Sequence, residues 1–328
     1  WQIRDRKEGV IVEWDGTLIK DLTPYPYRLH LEQHRLTPII HSKLAECPNA
    51  EVRFSHEVTG FSQDAGKVTV TARAPSGIEQ FEAEWLVGAD GGRSTVRKCM
   101  GVGFEGYTWP ERFLVASTTY DYEPHGYTLN AYIADPVDWS AMFKMPGDGP
   151  PGLWRVLFPV APGEDEAAAL SEDNVERLMQ GFQPKAGSYP IQYKSIYKVH
   201  QRVASDFRAG RALLAGDAAH LNNPIGAFGL NGGIHDAINL AEKLARVCRG
   251  EADDRLLDLY VRQRRTVNLE YVQEYSVKNL KRLIAKTEAE RRQNFDELRE
   301  AASTLEGRRN FLLVSSMIAS VRRANAIT

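Results

Sequence analysis

The stretch "LLAGDAAHLNNPIGAFGLNGGIHDA", residues 213–237, decides the fold. It opens as a short apolar strand, turns at Gly216-Asp217, and carries five glycines and three asparagines before a helical pattern resumes. Glycines at a strand end leave bare backbone that a ligand can lie against. In open α/β sheets, ligands bind beyond the carboxyl ends of the strands. The free N–H groups of a following helix favour negative charge. A second stretch, "WLVGADGGRSTVR" at residues 85–97, follows the same plan, with Asp90 at its turn and Ser94 and Arg97 after it. One glycine loop between strand and helix is a common turn. Two of them, each with an Asp at the turn, fit a dinucleotide whose ring becomes anionic.

The rest of the chain narrows the class. Of 328 residues, 43% are hydrophobic and 26% charged, an ordinary balance for a folded protein. Lys plus Arg number 41 against 43 Asp plus Glu, so the basic excess of a nucleic-acid binder is absent. Cys47, Cys99 and Cys248 fit no metal spacing, and no metal site is expected. They read as small core residues of a reducing, cytoplasmic protein. No apolar run approaches the ~18 residues of a membrane span.

"GVIVEW" and "GTLIKDL" read as a hairpin across Asp15-Gly16. "RLHLEQHRLTPII" places Leu29, Leu36, Ile39 and Ile40 at helical spacing, disturbed by Pro38. Residues 51–74 alternate as antiparallel strands, and residues 104–197 are dense in aromatics and prolines, as in a β-rich module. A helix after the glycine loop puts Ala237, Leu240, Ala241, Leu244, Val247 and Cys248 on one face. "EAERRQNFDELRE" reads as a solvated helix face, and "NFLLVSSMIASV" as a segment packed on the body or on the second copy of a homodimer.

At these residues a resemblance becomes visible. Asp90, Gly91, Ser94 and Arg97 resemble one motif of the class A flavoprotein aromatic hydroxylases, the para-hydroxybenzoate hydroxylase-like monooxygenases. Gly216, Asp217, His220, Pro224, Gly226, Gly229, Asn231, Asp236, Ala237 and Asn239 fall in register with a second. "RLHLEQHRL" is similar to the helix whose Arg28 and Gln33 positions touch the flavin in that family. The resemblance implies that Arg28, Gln33, Asp90, Gly91, Arg97, Gly216, Asp217, Pro224, Gly226, Gly229, Leu230 and Asn231 bind FAD. It places Asp217 on the ribityl chain and Asp90 and Arg97 on the pyrophosphate side. Pro224, Gly229 and Asn231 would line the reacting ring. It further implies transient NAD(P)H as reductant, capture of O2 as a flavin C4a-hydroperoxide, and hydroxylation of a small aromatic, phenolic or N-heteroaromatic substrate.

The fold implied is α/β: a Rossmann-like FAD-binding domain at 1–103 and 198–265, an inserted β-rich substrate domain at 104–197, and C-terminal helices at 266–328. No strand–GxGxxG–helix unit precedes the first hairpin, the matches at 101–106 and 147–152 lying elsewhere, so the FAD domain reads as incomplete at its N-terminus, short of at least one βαβ unit of ~30 residues. A fragment of a hydroxylase is favoured over a chain that has lost FAD, because the remaining motifs are intact. Tyr120, Tyr127 and Tyr132 are candidate substrate contacts, although alternating aromatics are also plain sheet packing. Trp139, Trp154 and Arg155 read as ring or carboxylate contacts, or as core and surface. His220 reads as a hydrogen-bonded loop residue rather than a base, and His235 as an exposed helix residue. The alternatives are a truncated, non-catalytic flavoprotein body and a reductase or halogenase on the same scaffold.

Overall fold

The computed structural model describes all of residues 1–328. In chain order, strands β1 (Gln2–Asp5) and β2 (Gly9–Glu13) precede helix α1 (Gln33–Leu44), and β3 (Glu57–Gln63), β4 (Val68–Ala74), β5 (Gly77–Ala83) and β6 (Leu86–Gly88) precede α2 (Thr95–Met100). Then come β7 (Phe104–Thr118), β8 (Asn130–Ala134), β9 (Ser140–Met145), β10 (Leu153–Val160), the helices α3 (Glu166–Ala169) and α4 (Glu172–Phe182), and β11 (Ile191–Ala204). The short strands β12 (Arg208–Ala209), β13 (Ala212–Leu214) and β14 (His220–Leu221) lead to α5 (Phe228–Cys248) and α6 (Arg255–Val267). A π-helical stretch at Asn268–Gln273 continues into α7 (Glu274–Leu283), followed by α8 (Glu288–Ser303), α9 (Leu305–Ser315) and α10 (Ile318–Asn325). No helix is long and apolar enough to cross a membrane.

Two compact units result. The first is Trp1–Pro48, Trp109–Val199 and Lys278–Ser316; the second is Asn49–Thr108, His200–Val277 and Met317–Thr328. Trp109–Val199 of the β-rich stretch falls in the same unit as Trp1–Pro48. The reason is strand pairing: β1 runs parallel to β8, with Gln2 opposite Ala131 and Asp5 opposite Ala134. The C-terminal region is likewise divided, residues 278–316 going with the first unit and the end of the chain with the second.

The sheet of the first unit runs β11-β7-β10-β9-β8-β1-β2. One face packs Leu114, Ala131, Met142, Trp154, Val156 and Phe158 against Val175, Met179 and Phe182 of α4. Alternation along each strand gives this face its apolar residues. The expected hairpin across Asp15-Gly16 is not formed. The hairpin is β1–β2, whose turn is held by Asp5 Oδ1 accepting from the Lys7 and Glu8 N–H groups at 2.8 and 3.0 Å. Asp15 instead accepts from Thr17 N–H at 2.9 Å and caps a short 3-10 turn, an Asx device that competes with hairpin formation. Helix α1 keeps Pro38 within it and buries none of its residues, while Leu29 lies outside it and is exposed.

Two further expectations are corrected. The α8 segment is not only a solvated face: Arg291 pairs with the buried Asp5, Arg299 with Glu8, and Phe295 and Leu298 are buried. Aromatic packing anchors α9, where Phe311 stacks on Trp14 with centroids 3.9 Å apart. All three cysteines, expected in the core, are exposed.

In the second unit, β3, β4 and β5 form an antiparallel sheet, and β12-β13-β6 forms another in which β13 and β6 are parallel. Leu214 lies opposite Gly88, so the two glycine-rich strand ends sit side by side. Their core is Val96, Phe207, Leu213, Leu214, Leu240 and Leu257, with Tyr260 donating to the Leu214 carbonyl at 2.5 Å.

Candidate functional site

The turn after β6 is fastened by its own polar groups. Asp90 Oδ1 accepts from Ser94 Oγ at 2.5 Å, and Oδ2 accepts from the Thr95 and Val96 N–H groups at 2.7 and 3.1 Å. Asp90 thus serves the start of α2, where a carboxylate also suits the helix dipole. Arg97 is buried and spans both strand ends. Its Nη1 donates to the Ala218 carbonyl and its Nη2 to the Gly92 carbonyl, each at 2.7 Å, while the guanidinium lies 3.7 Å over the Phe104 ring. Both side chains are engaged within the chain. Gly91, at φ +79°, keeps the turn open.

The turn after β13 is organised by a fully buried carboxylate. Asp236 Oδ2 accepts from Gly216 N–H at 3.0 Å and from His220 Nε2–H at 2.7 Å, and Oδ1 accepts from Arg264 Nε–H at 2.7 Å. Burial alone would raise the Asp236 carboxyl; the charges and hydrogen bonds of His220 and Arg264 outweigh it and hold it below the usual range. His220 therefore ties the loop to α5. His235, expected to be exposed, is half-buried, and burial pushes its pKa down.

Helix α5 begins at Phe228, so Gly229, Leu230, Asn231, Gly232 and Gly233 are helical rather than loop. Glycine disfavours helix by about 1 kcal/mol, and packing explains its use. A Cβ on Gly233 would stand 3.2 Å from Gly216 Cα, and one on Gly232 would stand 3.3 Å from the His220 ring. The buried stripe is Phe228, Gly232, Asp236, Leu240 and Lys243, while Ala237, Ala241 and Cys248, expected on it, are exposed. At its N-terminus α5 has no side-chain cap: Ala227 stands there at φ +61°, and Leu230 and Asn231 are exposed. Asn231 Nδ2 donates to the Ala227 carbonyl at 2.7 Å. Asp217 lies exposed at the turn and accepts no hydrogen bond from the chain; desolvation by its surroundings still raises its carboxyl, with His220 opposing.

Between these parts runs Asn222-Asn223-Pro224, held by buried amides. Asn223 donates from N and Nδ2 to Gln201 Oε1, both at 3.1 Å, and its Oδ1 accepts from Ile225 N–H at 3.0 Å. Gln201 Nε2 donates to Gln273 Oε1 at 2.8 Å and to Ser276 Oγ at 2.9 Å, and Gln273 Nε2 donates to the Leu221 carbonyl at 3.1 Å. Gln273 closes the π-helical stretch, a geometry that recurs at functional sites. Sequence reasoning missed Arg264, Gln201 and Gln273. Each sits in a strand or helix that reads as amphipathic, far along the chain from the loop it holds.

The remaining candidates lie in the first unit. Arg28 stacks 4.2 Å over the Trp1 ring and has a buried Nη1 without a partner; Gln33 is the exposed first residue of α1. Tyr120 and Tyr127 pack on the apolar α4 face, around the buried Tyr122. Tyr132 sits on the opposite face, edge-on to Trp1 and Phe143 at 6.0 and 5.9 Å. The three tyrosines therefore do not line one surface. Trp139 and Trp154 are core.

A family model described as an FAD binding domain matches residues 10–275. Para-nitrophenol 4-monooxygenase of Pseudomonas sp. (strain WBC-3) is 37% identical over 93% of this chain and 75% of its own length. 6-Hydroxy-3-succinoylpyridine 3-monooxygenase HspB of Pseudomonas putida (strain DSM 28022 / S16) is 32% identical over 86% of this chain and 70% of its own. The crystal structure of p-nitrophenol 4-monooxygenase PnpA from Pseudomonas putida DLL-E4 superposes with a TM-score of 0.90 at 34% identity, over 99% of this chain and 80% of that one. The chain belongs to the FAD binding domain family, among the class A flavoprotein aromatic hydroxylases. It is an FAD-dependent monooxygenase by that membership, and the reductase, halogenase and non-catalytic alternatives find no support among these relatives.

Proposed function

We propose that this chain hydroxylates a small phenolic or N-heteroaromatic ring with NAD(P)H and O2, through FAD held at the Gly216–Gly233 segment. The observation that carries the assignment is the uncapped N-terminus of α5 beside Asp217, a carboxylate with no partner in the chain. FAD fits on chemical grounds. Asp217 can accept from sugar-chain hydroxyls, and the free N–H groups at Phe228 to Leu230 favour an anionic ring edge. The close contact of Gly216 with Gly233 keeps the backbone flat and free of side chains. When bound and reduced by NAD(P)H, FAD supplies the oxygen-transfer chemistry, one atom of O2 entering the ring and the other leaving as water.

The chain's own residues bind, orient and exclude water. Asp217 anchors, Pro224 and Asn231 shape the approach to the ring, and Asn223 with Gln201 fixes Pro224. Asp90 and Arg97 act on the cofactor indirectly, by fixing the two turns. The chemistry named for the relatives, on nitrophenol and on a hydroxylated pyridine, supports a substrate that is an aromatic ring with an ionisable oxygen.

The test is a visible spectrum of the purified protein with added FAD, followed by NADH or NADPH oxidation with and without 4-nitrophenol. Shifted flavin bands and aromatic-stimulated oxidation with a hydroxylated product are expected. Loss of the shifted bands in Asp217→Ala assigns that residue. A wild-type protein that leaves the spectrum of FAD unchanged overturns the reading.

A further inference from the structure

Three residues other than glycine stand at positive φ, and two of them flank the start of α5. Ala227, at +61°, precedes α5 itself, and Met317, at +63°, precedes α10. A long side chain in this conformation is strained, and the strain persists only where the surroundings impose it. For Met317 the surroundings are apolar. It is 5% exposed and packs with Phe228, the first residue of α5, with Val272 of the π-helical stretch and with Tyr275. A Cβ on Gly232 would stand 4.0 Å from the Met317 methyl carbon, so the thioether lies against the first turns of α5. Gly232 is four residues into that helix, about 6 Å along its axis from Phe228.

Little else anchors the segment that Met317 opens. From Met317 to Thr328 the buried apolar side chains are Met317 and Ala324, and only the first is large. Arg323 pairs with Glu270, but the two side chains are 41% and 43% exposed, and such a pair adds little. At the far end Gln263 Nε2 donates to the Ile327 carbonyl at 3.0 Å. The attachment of α10 to the start of α5 therefore rests on one thioether. A thioether is also open to oxidation. Its sulfur takes one oxygen atom from hydrogen peroxide: the O–O bond breaks, an S–O bond forms, and the other oxygen leaves as water with both hydrogens. Sulfur gives up the electron pair and peroxide is reduced. The resulting sulfoxide is polar, and Phe228 and Val272 offer it no hydrogen-bond donor, so its burial is unfavourable.

We infer that Met317 is a modification site, a methionine whose oxidation by the protein's own hydrogen peroxide frees α10 from the start of α5 and so weakens flavin binding. The inference rests on the hydroxylase reading above, which supplies the oxidant: hydrogen peroxide is what NAD(P)H and O2 yield on a flavin when no ring is hydroxylated. A molecule that wastes reductant is thereby withdrawn, and reduction of the sulfoxide returns it. The chain has five methionines. Met142 and Met179 are fully buried in the core of the first unit, whereas Met100 and Met145 are half-buried. Peroxide arriving from solution meets Met100 and Met145 first. Peroxide made at the start of α5 meets Met317 first. The order of oxidation therefore reports where the oxidant comes from.

The experiment turns over the FAD-loaded protein with NADH or NADPH, O2 and 4-nitrophenol, with catalase present to destroy peroxide that escapes. A second sample receives reagent hydrogen peroxide and no nicotinamide. Peptide masses then read the gain of one oxygen at each methionine. Met317 is expected to lead Met100 and Met145 during turnover and to trail them in reagent peroxide. Turned-over protein, stripped of FAD, should melt at least about 4 °C lower and recover on treatment with methionine sulfoxide reductases. Met317→Leu, close in volume, should last at least ~3-fold more turnovers before half its activity is gone. Met317→Gln puts a polar group in the same place without oxidation, and should show the lowered midpoint and weaker FAD binding that the leucine variant lacks. Activity that decays while Met317 stays unmodified overturns the inference. So do equal decay of wild type and Met317→Leu, a sulfoxide that leaves the midpoint unchanged, and a turnover order that matches the reagent order. A wild type that takes up no FAD removes the flavin reading and this one together, whereas one that binds FAD and oxidises NAD(P)H with Met317 intact removes this one alone.

Discussion

His220 and Asp236 are joined by a 2.7 Å hydrogen bond between two side chains that are both fully buried. The same carboxylate takes Arg264 and the backbone N–H of Gly216, so it holds the turn after β13, the first half of α5 and the last turn of α6 together. A buried carboxylate is tolerable only with such partners. Replacing Asp236 by Ala strands the Arg264 guanidinium, which is 2% exposed. A loss of about 3–5 kcal/mol is expected from urea unfolding, together with loss of bound FAD. A loss below about 1 kcal/mol would show that the network is dispensable.

Glycines within helices give a paired prediction with opposite signs. Gly181 in α4 has open space where a Cβ would go, whereas a Cβ on Gly233 in α5 meets Gly216 Cα at 3.2 Å. By helix propensity alone, either change to Ala would stabilise by up to about 1 kcal/mol. Gly181→Ala is expected to do so. Gly233→Ala is expected to destabilise and to weaken FAD binding, because its neighbour is backbone and cannot swing aside. Equal shifts in thermal midpoint for the two variants would refute the packing account.

These glycines also show what a sequence reader can and cannot see. The two strand ends are legible because everything that marks them is local: an apolar run, an Asp and a glycine. The start of α5 is not, since Gly229, Gly232 and Gly233 read as loop until the partner that needs them bare is known. Arg264 and Gln273 reach the site only through the fold, 28 and 72 residues from the Asp236 and Gln201 they bond. The β1–β2 hairpin is hidden for a related reason: Asp15-Gly16 carries a stronger turn signal than the residues 6–8 that make the turn. Tyr132 is separated from Tyr120 and Tyr127 by the two-fold alternation of a sheet, which composition does not report.

Acid should unfold the protein in two stages. Burial lowers the His30 pKa, with the Arg28 charge adding to it and the hydrogen bond to the Lys144 carbonyl opposing. A group depressed in the fold binds more protons when unfolded, so its stabilising effect is full above the unfolded value of about 6.5 and falls as pH drops below it. His235 has the same sign. Asp236 is depressed as well, so its contribution is present above about 3.9 and is lost as pH falls through its folded value. Urea midpoints measured from neutral pH downward should decline first below about 6.5 and again below about 3.9. His30→Asn, whose amide can still donate to the Lys144 carbonyl, should flatten the first decline and leave the second. An unchanged upper decline in that variant would remove His30 as its source.

The amides beneath Pro224 yield a prediction that separates positioning from bulk stability. Gln201 Oε1 receives two donors of Asn223, and its Nε2 reaches Gln273 and Ser276. Gln201→Leu leaves those buried groups without partners, at a cost of about 1–3 kcal/mol. Gln201→Glu keeps the acceptor that Asn223 needs and removes the donors to Gln273 and Ser276. If the network positions Pro224 against the flavin, the leucine variant should bind FAD with altered band positions and release more hydrogen peroxide per NAD(P)H consumed, because a misplaced ring is open to water. The glutamate variant should recover much of the coupling, since the Asn223 side of the bond survives. A fall in stability in both variants with unchanged flavin bands and coupling would reduce Gln201 to a packing role.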